Sequence, residues 1–369
     1  MRWGSAGSDA PEMDDAIERV SEDLRAKLED GPIDLVVAFV SHHFADRYLE
    51  FPSLLSRALP HRVLVGCSAG GVIGGGREIE RRPGISVTAA RLPEVDIRPV
   101  HVEGSDLPDL DDRPGTWVEL LETPQEPAPH FLVFAEPFSF PAPVLLSGLD
   151  YAYPKSVKVG GLASGAAGPG GNALFIGEEI RRAGAVVVSL SGAIAVETIV
   201  AQGCRPIGRP LRITRCSGNL LFELEGKTPL DTAREVIGTL PEGERALAGR
   251  ALFLGVAMNE MVERPGPGDF LIRNLVGMDP ETGAFAIGET LRVGQTVQFH
   301  VRDAGSAAEE LTALLGEYGR QPNAGALLFS CNARGTRLFS DRHHDARAIA
   351  DECGRLPVAG LFCAGEIGP

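Results

Sequence analysis

The sequence predicts an α/β protein of two halves, in which repeated strand-helix-strand-glycine-turn units form mixed sheets flanked by helices. Two observations predict it. Short runs of branched apolar residues alternate with stretches of helical periodicity, and the same order of elements recurs three times along the chain. A length of 369 residues with 44% hydrophobic and 23% charged residues is enough to bury an ordinary apolar core.

Residues Pro11 to Asp30 carry Ile17, Val20, Leu24 and Leu28 at helical spacing. Asp9 and Pro11 are placed to start that helix, and Gly31-Pro32 to stop it. Ile33 to Ser41 is too short for a buried helix and rich in branched residues, so it reads as a buried strand. A helical stretch with Tyr48, Leu49, Leu54, Leu55 and Leu59 leads to a second strand at Arg62–Val65, which enters Gly66-Cys67-Ser68-Ala69-Gly70-Gly71; Ile85–Ala90 is a further strand.

The order then recurs. Phe131–Phe134 is a strand, Val144 to Leu149 a helix, and Val157–Val159 a strand entering Gly160-Gly161-Leu162-Ala163-Ser164-Gly165, with strands at Ala173–Ile176 and Ala185–Leu190. A third copy runs from the strand Ala326–Ser330 through a helix at Ala346–Cys353 to Pro357–Phe362 and Cys363-Ala364-Gly365-Glu366. Gly66, Gly160 and Gly360 are expected to open the three turns. By analogy with the first two copies a further strand is expected after Gly368-Pro369, so either the chain reads as truncated or the third copy as naturally incomplete, with a sheet edge left exposed.

Between the second and third copies, Leu252–Ala257 and Phe270–Arg273 read as strands joined by a turn cluster at Glu263–Asp269. Thr296–Arg302 alternates with period two, which predicts one buried and one polar face. Ala307–Tyr318 is a helix. The acidic, proline-rich stretch Gly104–Pro129 reads as a surface excursion around a short helix at Trp117–Leu121.

A net charge of -15 argues against nucleic acid and anionic lipid as partners, because both require clustered cations. The six cysteines have no C-x-x-C spacing and read as reduced thiols. The N-terminus has no apolar leader, and no stretch reaches the about 18 apolar residues of a membrane span. A cytoplasmic protein is expected, with no metal and no cofactor. His42-His43 and His343-His344-Asp345 hold metal-capable groups, but neighbouring histidines on a helix point apart.

Glycine turns at strand ends expose backbone N–H groups, so three of them converging would form a ligand crevice; the simpler reading is that the glycines only permit tight turns. Gly66-Cys67-Ser68-Ala69-Gly70 also fits the G-x-S-x-G nucleophile elbow. The glycines after it, each costing a helix roughly 1 kcal/mol, make the required helix a poor fit. His300, His343 and His344 are the only nominees for its base.

Several blocks carry a family resemblance. Gln202-Gly203-Cys204-Arg205-Pro206-Ile207-Gly208, Phe270-Leu271-Ile272-Arg273-Asn274-Leu275-Val276-Gly277 and Gln298-Phe299-His300-Val301-Arg302-Asp303 are three of them. Leu328-Phe329-Ser330-Cys331-Asn332-Ala333-Arg334-Gly335 and Cys363-Ala364-Gly365-Glu366-Ile367-Gly368-Pro369 follow in order. Together with the two N-terminal glycine runs, they resemble the FIST family over roughly Ile33 to Pro369. The resemblance implies a sensory module that binds a small ligand, often suggested to be an amino acid, and passes a signal to a downstream protein. It divides the chain into an N-terminal helix (1–32), a FIST N-terminal domain (33–221) and a FIST C-terminal domain (222–369).

The expected ligand site combines Gly66, Cys67, Ser68, Gly160, Gly161, Ser164, Cys331, Asn332, Cys363 and Gly365 with Arg273, Arg302 and Arg334 for a carboxylate and Glu366 for an ammonium group. The ligand expected there is an amino acid or another small carboxylate. For each charged residue the competing reading is a structural ion pair. Cys331 and Cys363 lie next to the turns, where a helix N-terminus would lower a thiol pKa, although buried inert cysteines are the commoner case. The alternatives are a hydrolase or transferase using Ser68 or a cysteine, and a protein-interaction scaffold.

Overall fold

The computed structural model of the protein describes residues 1–29, 31–262, 265–266, 268–319 and 322–369. The chain divides into two compact units, one of residues 1–200 with 318–369 and the other of residues 201–317. These units do not follow a cut at residue 221, because the third copy joins the first two.

The first unit opens with β1 (Arg2–Ser8), α1 (Met13–Leu28), β2 (Leu35–Ser41), α2 (Phe51–Ala58) and β3 (Val63–Ala69). The hairpin β4 (Gly71–Gly74) and β5 (Arg77–Glu80) follows, then β6 (Ile85–Arg91), β7 (Val95–Val102) and α3 (Pro114–Leu121). Next come β8 (His130–Ala135), α4 (Ala142–Ala152), β9 (Lys158–Leu162), the hairpin β10 (Leu174–Ile176) and β11 (Glu179–Arg181), and β12 (Ala185–Gly192). The second unit holds β13 (Arg205–Ser217), β14 (Leu220–Leu224), α5 (Pro229–Gly238), α6 (Glu242–Ala248), β15 (Leu252–Ala257), β16 (Phe270–Met278), β17 (Phe285–Ile287), β18 (Thr296–Val301) and nearly all of α7 (Ala304–Tyr318). The chain returns to the first unit for β19 (Ala326–Cys331), α8 (His344–Cys353), β20 (Val358–Cys363) and β21 (Glu366–Ile367).

Each copy contributes one parallel pair: β2 with β3, β8 with β9, and β19 with β20. The strand that follows each pair leaves its own sheet. The β4–β5 hairpin pairs with β20, β10 pairs with β3, and β21 pairs with β9, all antiparallel. Each copy thus completes the sheet of another in a closed cycle, giving sheets ordered β1-β6-β2-β3-β10-β11, β21-β9-β8-β12-β7 and β19-β20-β4-β5.

The repeat has a sequence cause. Gly66, Gly160 and Gly360 stand in register opposite Ala38, Val133 and Leu328. A Cβ on these glycines would lie 1.8, 1.9 and 2.1 Å from the opposing carbonyl oxygens, so any larger residue would force the pair apart. One position beyond the opposing residues stand Phe39, Phe134 and Phe329. Their rings meet one another with centroids 5.7, 6.4 and 6.3 Å apart, within the range of favourable edge and offset contacts. Phe39 and Phe134 belong to one buried cluster with Val37, Leu132 and Leu361, and the partly buried Phe329 packs against it.

Local features depart from the sequence expectation. Helix α1 starts at Met13 after Glu12, which gives no side-chain cap, and Asp9 instead faces Arg77 and Arg82; Asp30, the expected end, lies outside the described residues. The Gly/Ser-rich residues 2–8 form a strand that was not anticipated. In the turn cluster Glu263–Asp269, Glu263, Arg264 and Pro267 lie outside the described residues, and Asp269 accepts the N–H of Gly266 at 2.8 Å. In the 104–129 stretch, α3 buries Trp117 fully against the face where Gly148 leaves room for it.

The second unit is a closed barrel of β13-β14-β17-β16-β15-β18. Closure explains why β18 is buried from Val297 to Val301 rather than on one face only. The buried Gln298 donates to Gly208 O at 2.8 Å, and the His300 Nδ1 lies 3.0 Å from Gln298 O. Burial lowers the His300 pKa.

Candidate functional site

The three glycine-bearing segments come together through Ser164. Its N–H donates to Ser68 O at 3.1 Å, its hydroxyl donates to Phe362 O at 2.5 Å, and the same oxygen accepts the N–H of Gly70 at 2.8 Å. One serine of the second copy is therefore bonded to the first and the third. Gly66, Gly160 and Gly360 lie inside strands, and the chain leaves the strand pairs only at Gly70, Ala163 and Ala364. The turns therefore open three or four residues later than the sequence suggested.

Most of the expected residues lie below the surface. Cys67, Ser68 and Cys363 are fully buried and Ser164 is 3% exposed. Gly161 sits against Cys363, and Gly365 O accepts the N–H of Leu162 at 2.8 Å. What remains open is a rim at the carboxyl ends of the parallel pairs: Gly70 and Asn332 are half-buried, while His42, Gly165, Ala333 and Ala364 are exposed. The Asn332 backbone is tied to Cys363 O at 3.0 Å, and its carboxamide oxygen lies over Gly70, 2.6 Å from where a Cβ would be. His42 abuts Gly165, and its ring lies 4.2 Å from that of His43 at a tilt of 36°, so the two rings meet rather than pointing apart.

The Ser68 hydroxyl is held by structure. It accepts the N–H of Ala173 at 3.0 Å and lies 3.4 Å from Asn172 Oδ1. Asn172 donates to Glu136 Oε1 at 3.0 Å, and Glu136 Oε2 accepts from Phe138 N and the Ser139 hydroxyl. This buried Ser68–Asn172–Glu136 chain contains no histidine. Gly71 leads into strand β4 rather than a helix, so the elbow geometry is absent. Sequence reasoning missed Asn172 and Glu136; the one local signal was a carboxylate placed directly after the apolar run Phe131–Ala135.

The cysteines follow the inert reading rather than the activated one. Burial pushes the Cys67 and Cys363 thiols up, and the charge of Glu366 adds to the effect on Cys363. The Cys363 thiol donates to Ser330 O at 3.3 Å, and the half-buried Cys331 Sγ accepts the N–H of Ala333.

The charged residues are engaged elsewhere. Arg334 is buried and grips Asp345 with two bonds, at 2.8 and 2.9 Å, while its guanidinium lies over Phe339. Arg273 donates to Glu289 at 2.8 Å, and Arg302 lies 4.6 Å above the Phe253 ring. Arg273 and Arg302 belong to the second unit, and Arg334 and the exposed Glu366 to the first. Two surface concavities of the first unit, of about 590 and 220 Å³, are lined by Gly104 and Leu107–Asp112 with Pro141 and Val144, and by Gln125, Glu126 and Ala128 with Ala152–Ser156. Neither includes a residue of the glycine turns. Among the described residues no group of three His, Cys, Asp or Glu side chains is placed to hold a metal, and no helix is long and apolar enough to cross a membrane.

Comparison with known proteins adds a family. The model of the FIST N domain matches residues 34–227 and that of the FIST C domain matches 229–369. An uncharacterised protein of Mycobacterium tuberculosis (strain ATCC 25618 / H37Rv) is 36% identical over 374 residues, covering 100% of this chain and 95% of the relative. An uncharacterised protein of Mycobacterium bovis is 35% identical over 372 residues, covering 100% and 94%. Among solved structures, the crystal structure of cyanuric acid hydrolase from A. caulinodans matches 52% of this chain and 71% of its own at 10% identity, with a TM-score of 0.26. That likeness is too slight to bear on function.

Proposed function

Because the chain belongs to the FIST family, with an N domain followed by a C domain, we propose that it is a sensory module that binds a small ligand and signals to a downstream protein. The observation that carries this reading is the meeting of three strand-end turns at the carboxyl ends of three parallel pairs, the position at which α/β sheets bind ligands. The ligand class is an amino acid or another small carboxylate. With the Arg334 fork closed on Asp345, the polar groups facing such a ligand are the turn backbone, the Asn332 carboxamide and the His42 ring, with Glu366 as the acid for an ammonium group. Binding would favour one arrangement of the turns over another, which is all that a population-shift signal requires.

A thermal-shift screen of the common amino acids and of small mono- and dicarboxylates tests it. A ligand at 100 times its Kd adds about 2.7 kcal/mol of stability, an easily seen rise in Tm. The rise is expected to be lost in Asn332→Ala and in His42→Ala. A panel without any stabilising compound, or stabilisation that both variants retain, rejects the reading. The alternative of an enzyme using Ser68 or a cysteine has little to support it, since Ser68, Cys67 and Cys363 are buried and the Cys67 and Cys363 thiols are harder to ionise than usual.

A further inference from the structure

We propose that the outer edge of β19 is an acceptor for one antiparallel strand of another polypeptide, an extended, uncharged segment rich in branched residues. The proposal starts from a difference between the three copies. In the first copy β6 runs antiparallel along the edge of β2 that faces away from β3, and in the second β12 does the same along β8. The two registers agree. Ala38 and Val133, which face Gly66 and Gly160 on one side, stand opposite Val87 and Val187 on the other. Leu328 holds the same place against Gly360. Yet β19 is the end strand of its sheet, and among the described residues no strand lies along its outer edge.

Backbone and side chains both mark that edge as open. The N–H of Ala326 donates to Pro357 O at 2.8 Å and that of Asn332 to Cys363 O at 3.0 Å, so the even-numbered residues of β19 direct their backbone groups at β20. Successive residues of a strand point these groups to opposite sides, which aims those of Leu327 and Phe329 at the outer edge. With strands on both sides, Val37, Ala38 and Phe39 are fully buried, and Leu132, Val133 and Phe134 are at most 4% exposed. Their counterparts Leu327, Leu328 and Phe329 are only partly buried.

The chemistry of the incoming strand follows from β6 and β12. Neither Ile85–Ala90 nor Ala185–Leu190 holds a charge. Ser86 and Val186 stand opposite the phenylalanines, Val87 and Val187 one place on, and Thr88 and Val188 opposite Val37 and Leu132. On β19, Leu327 and Phe329 pack toward the central cluster and Leu328 toward Ile73, Ala346 and Phe362, so a charge in the added strand would be desolvated without a partner. The edge has none of the devices that keep strands apart: Ala326–Cys331 holds no charge and no proline, whereas β7 carries Asp96, Arg98 and Pro99, and the short β5 and β11 carry Arg77, Glu78, Glu80, Glu179 and Arg181. A second copy offering its own β19, paired about Leu328, would set Phe329 against Leu327 and Leu328 against itself. These are bulkier than Ser86, Val87 and Thr88, which favours a different polypeptide. Strand addition of this kind draws its affinity from main-chain bonds and its selectivity from alternate side chains.

A dye-labelled peptide of residues 85–91, titrated with the full chain and followed by fluorescence anisotropy, tests the proposal without any small ligand. Saturable binding of one peptide per chain is expected. The same peptide with Thr88→Pro has no N–H to offer Leu327 and should bind about tenfold more weakly or worse. Hydrogen exchange locates the site: in the free chain the amides of Leu327 and Phe329 should exchange faster than those of Leu328 and Ser330, and the peptide should protect them. Leu327→Pro in the chain should weaken binding likewise; the proline peptide makes the same comparison on a chain whose fold is untouched. Absence of saturable binding, equal binding of the two peptides, or protection that leaves Leu327 and Phe329 unchanged overturns the acceptor edge. A free chain that is already dimeric, with both amides protected, also overturns it, in favour of a second copy.

Discussion

Arg334 and Asp345 are bound to each other by two hydrogen bonds in a buried ion pair, with 9% and 5% of their side chains exposed. Burial by itself would raise the Asp345 carboxyl, but the Arg334 bond and charge, with help from His344, hold it below its ordinary value. Arg334→Ala leaves that carboxylate buried without its partner, an error that costs about 3–5 kcal/mol. Urea unfolding at neutral pH should show the loss. The wild type should in turn lose this contribution as the pH falls below the ordinary range of an aspartate, since a depressed pKa stabilises only above it. An Arg334→Ala protein of unchanged midpoint would mean that the pair contributes nothing.

Ser164→Ala removes the hydroxyl that joins the third copy to the first, leaving Phe362 O and the N–H of Gly70 without that partner. A cost of about 1–3 kcal/mol is expected, visible as a lower denaturation midpoint with an unchanged m-value. Cooperative unfolding at the wild-type midpoint would show that the serine is dispensable.

Gly160→Ala places a methyl group 1.9 Å from Val133 O and should destabilise by about 4 kcal/mol or more, or abolish soluble expression. Gly168→Ala, where nothing lies within 4 Å, is the matched control and should change stability by no more than about 0.5 kcal/mol. Equal behaviour of the two variants would contradict the strand contact.

Native labelling with a thiol reagent at neutral pH should spare Cys67 and Cys363, both buried with raised pKa values. The partly exposed Cys204, Cys216, Cys331 and Cys353 should react first. Mass mapping of early adducts checks this, and rapid modification of Cys363 would revive a reactive-thiol role.

The repeated copies were legible because each is a short apolar run followed by helical spacing and a return strand broken by glycine. The strands at Leu35, Val63, Phe131 and Ala326 needed no tertiary information. Strand β1 was not legible: Gly4, Ser5 and Gly7 have no strand propensity of their own, and pairing with β6 imposes the conformation. The barrel was hidden for a related reason, since closure between β13 and β18 joins segments far apart in sequence. At the candidate site, the glycines were proposed from local pattern and Asn332 from the family resemblance. The partners Asn172 and Glu136 were not, because their roles depend on groups that only the folded chain brings near. Arg334 was noted as a chemical type, and nothing local to it indicated that Asp345 already fills its fork.

The circular exchange of strands has a consequence for how this polypeptide can mature. During synthesis the hairpin of residues 71–80 emerges long before residues 358–363, with which it must pair, and the edge of β9 away from β8 stays unpaired until residues 366–367 arrive. No copy can finish by itself as it leaves the ribosome. Residues 358–367 complete sheets begun by the first two copies, so those sheets must stay unfinished until this late segment is made.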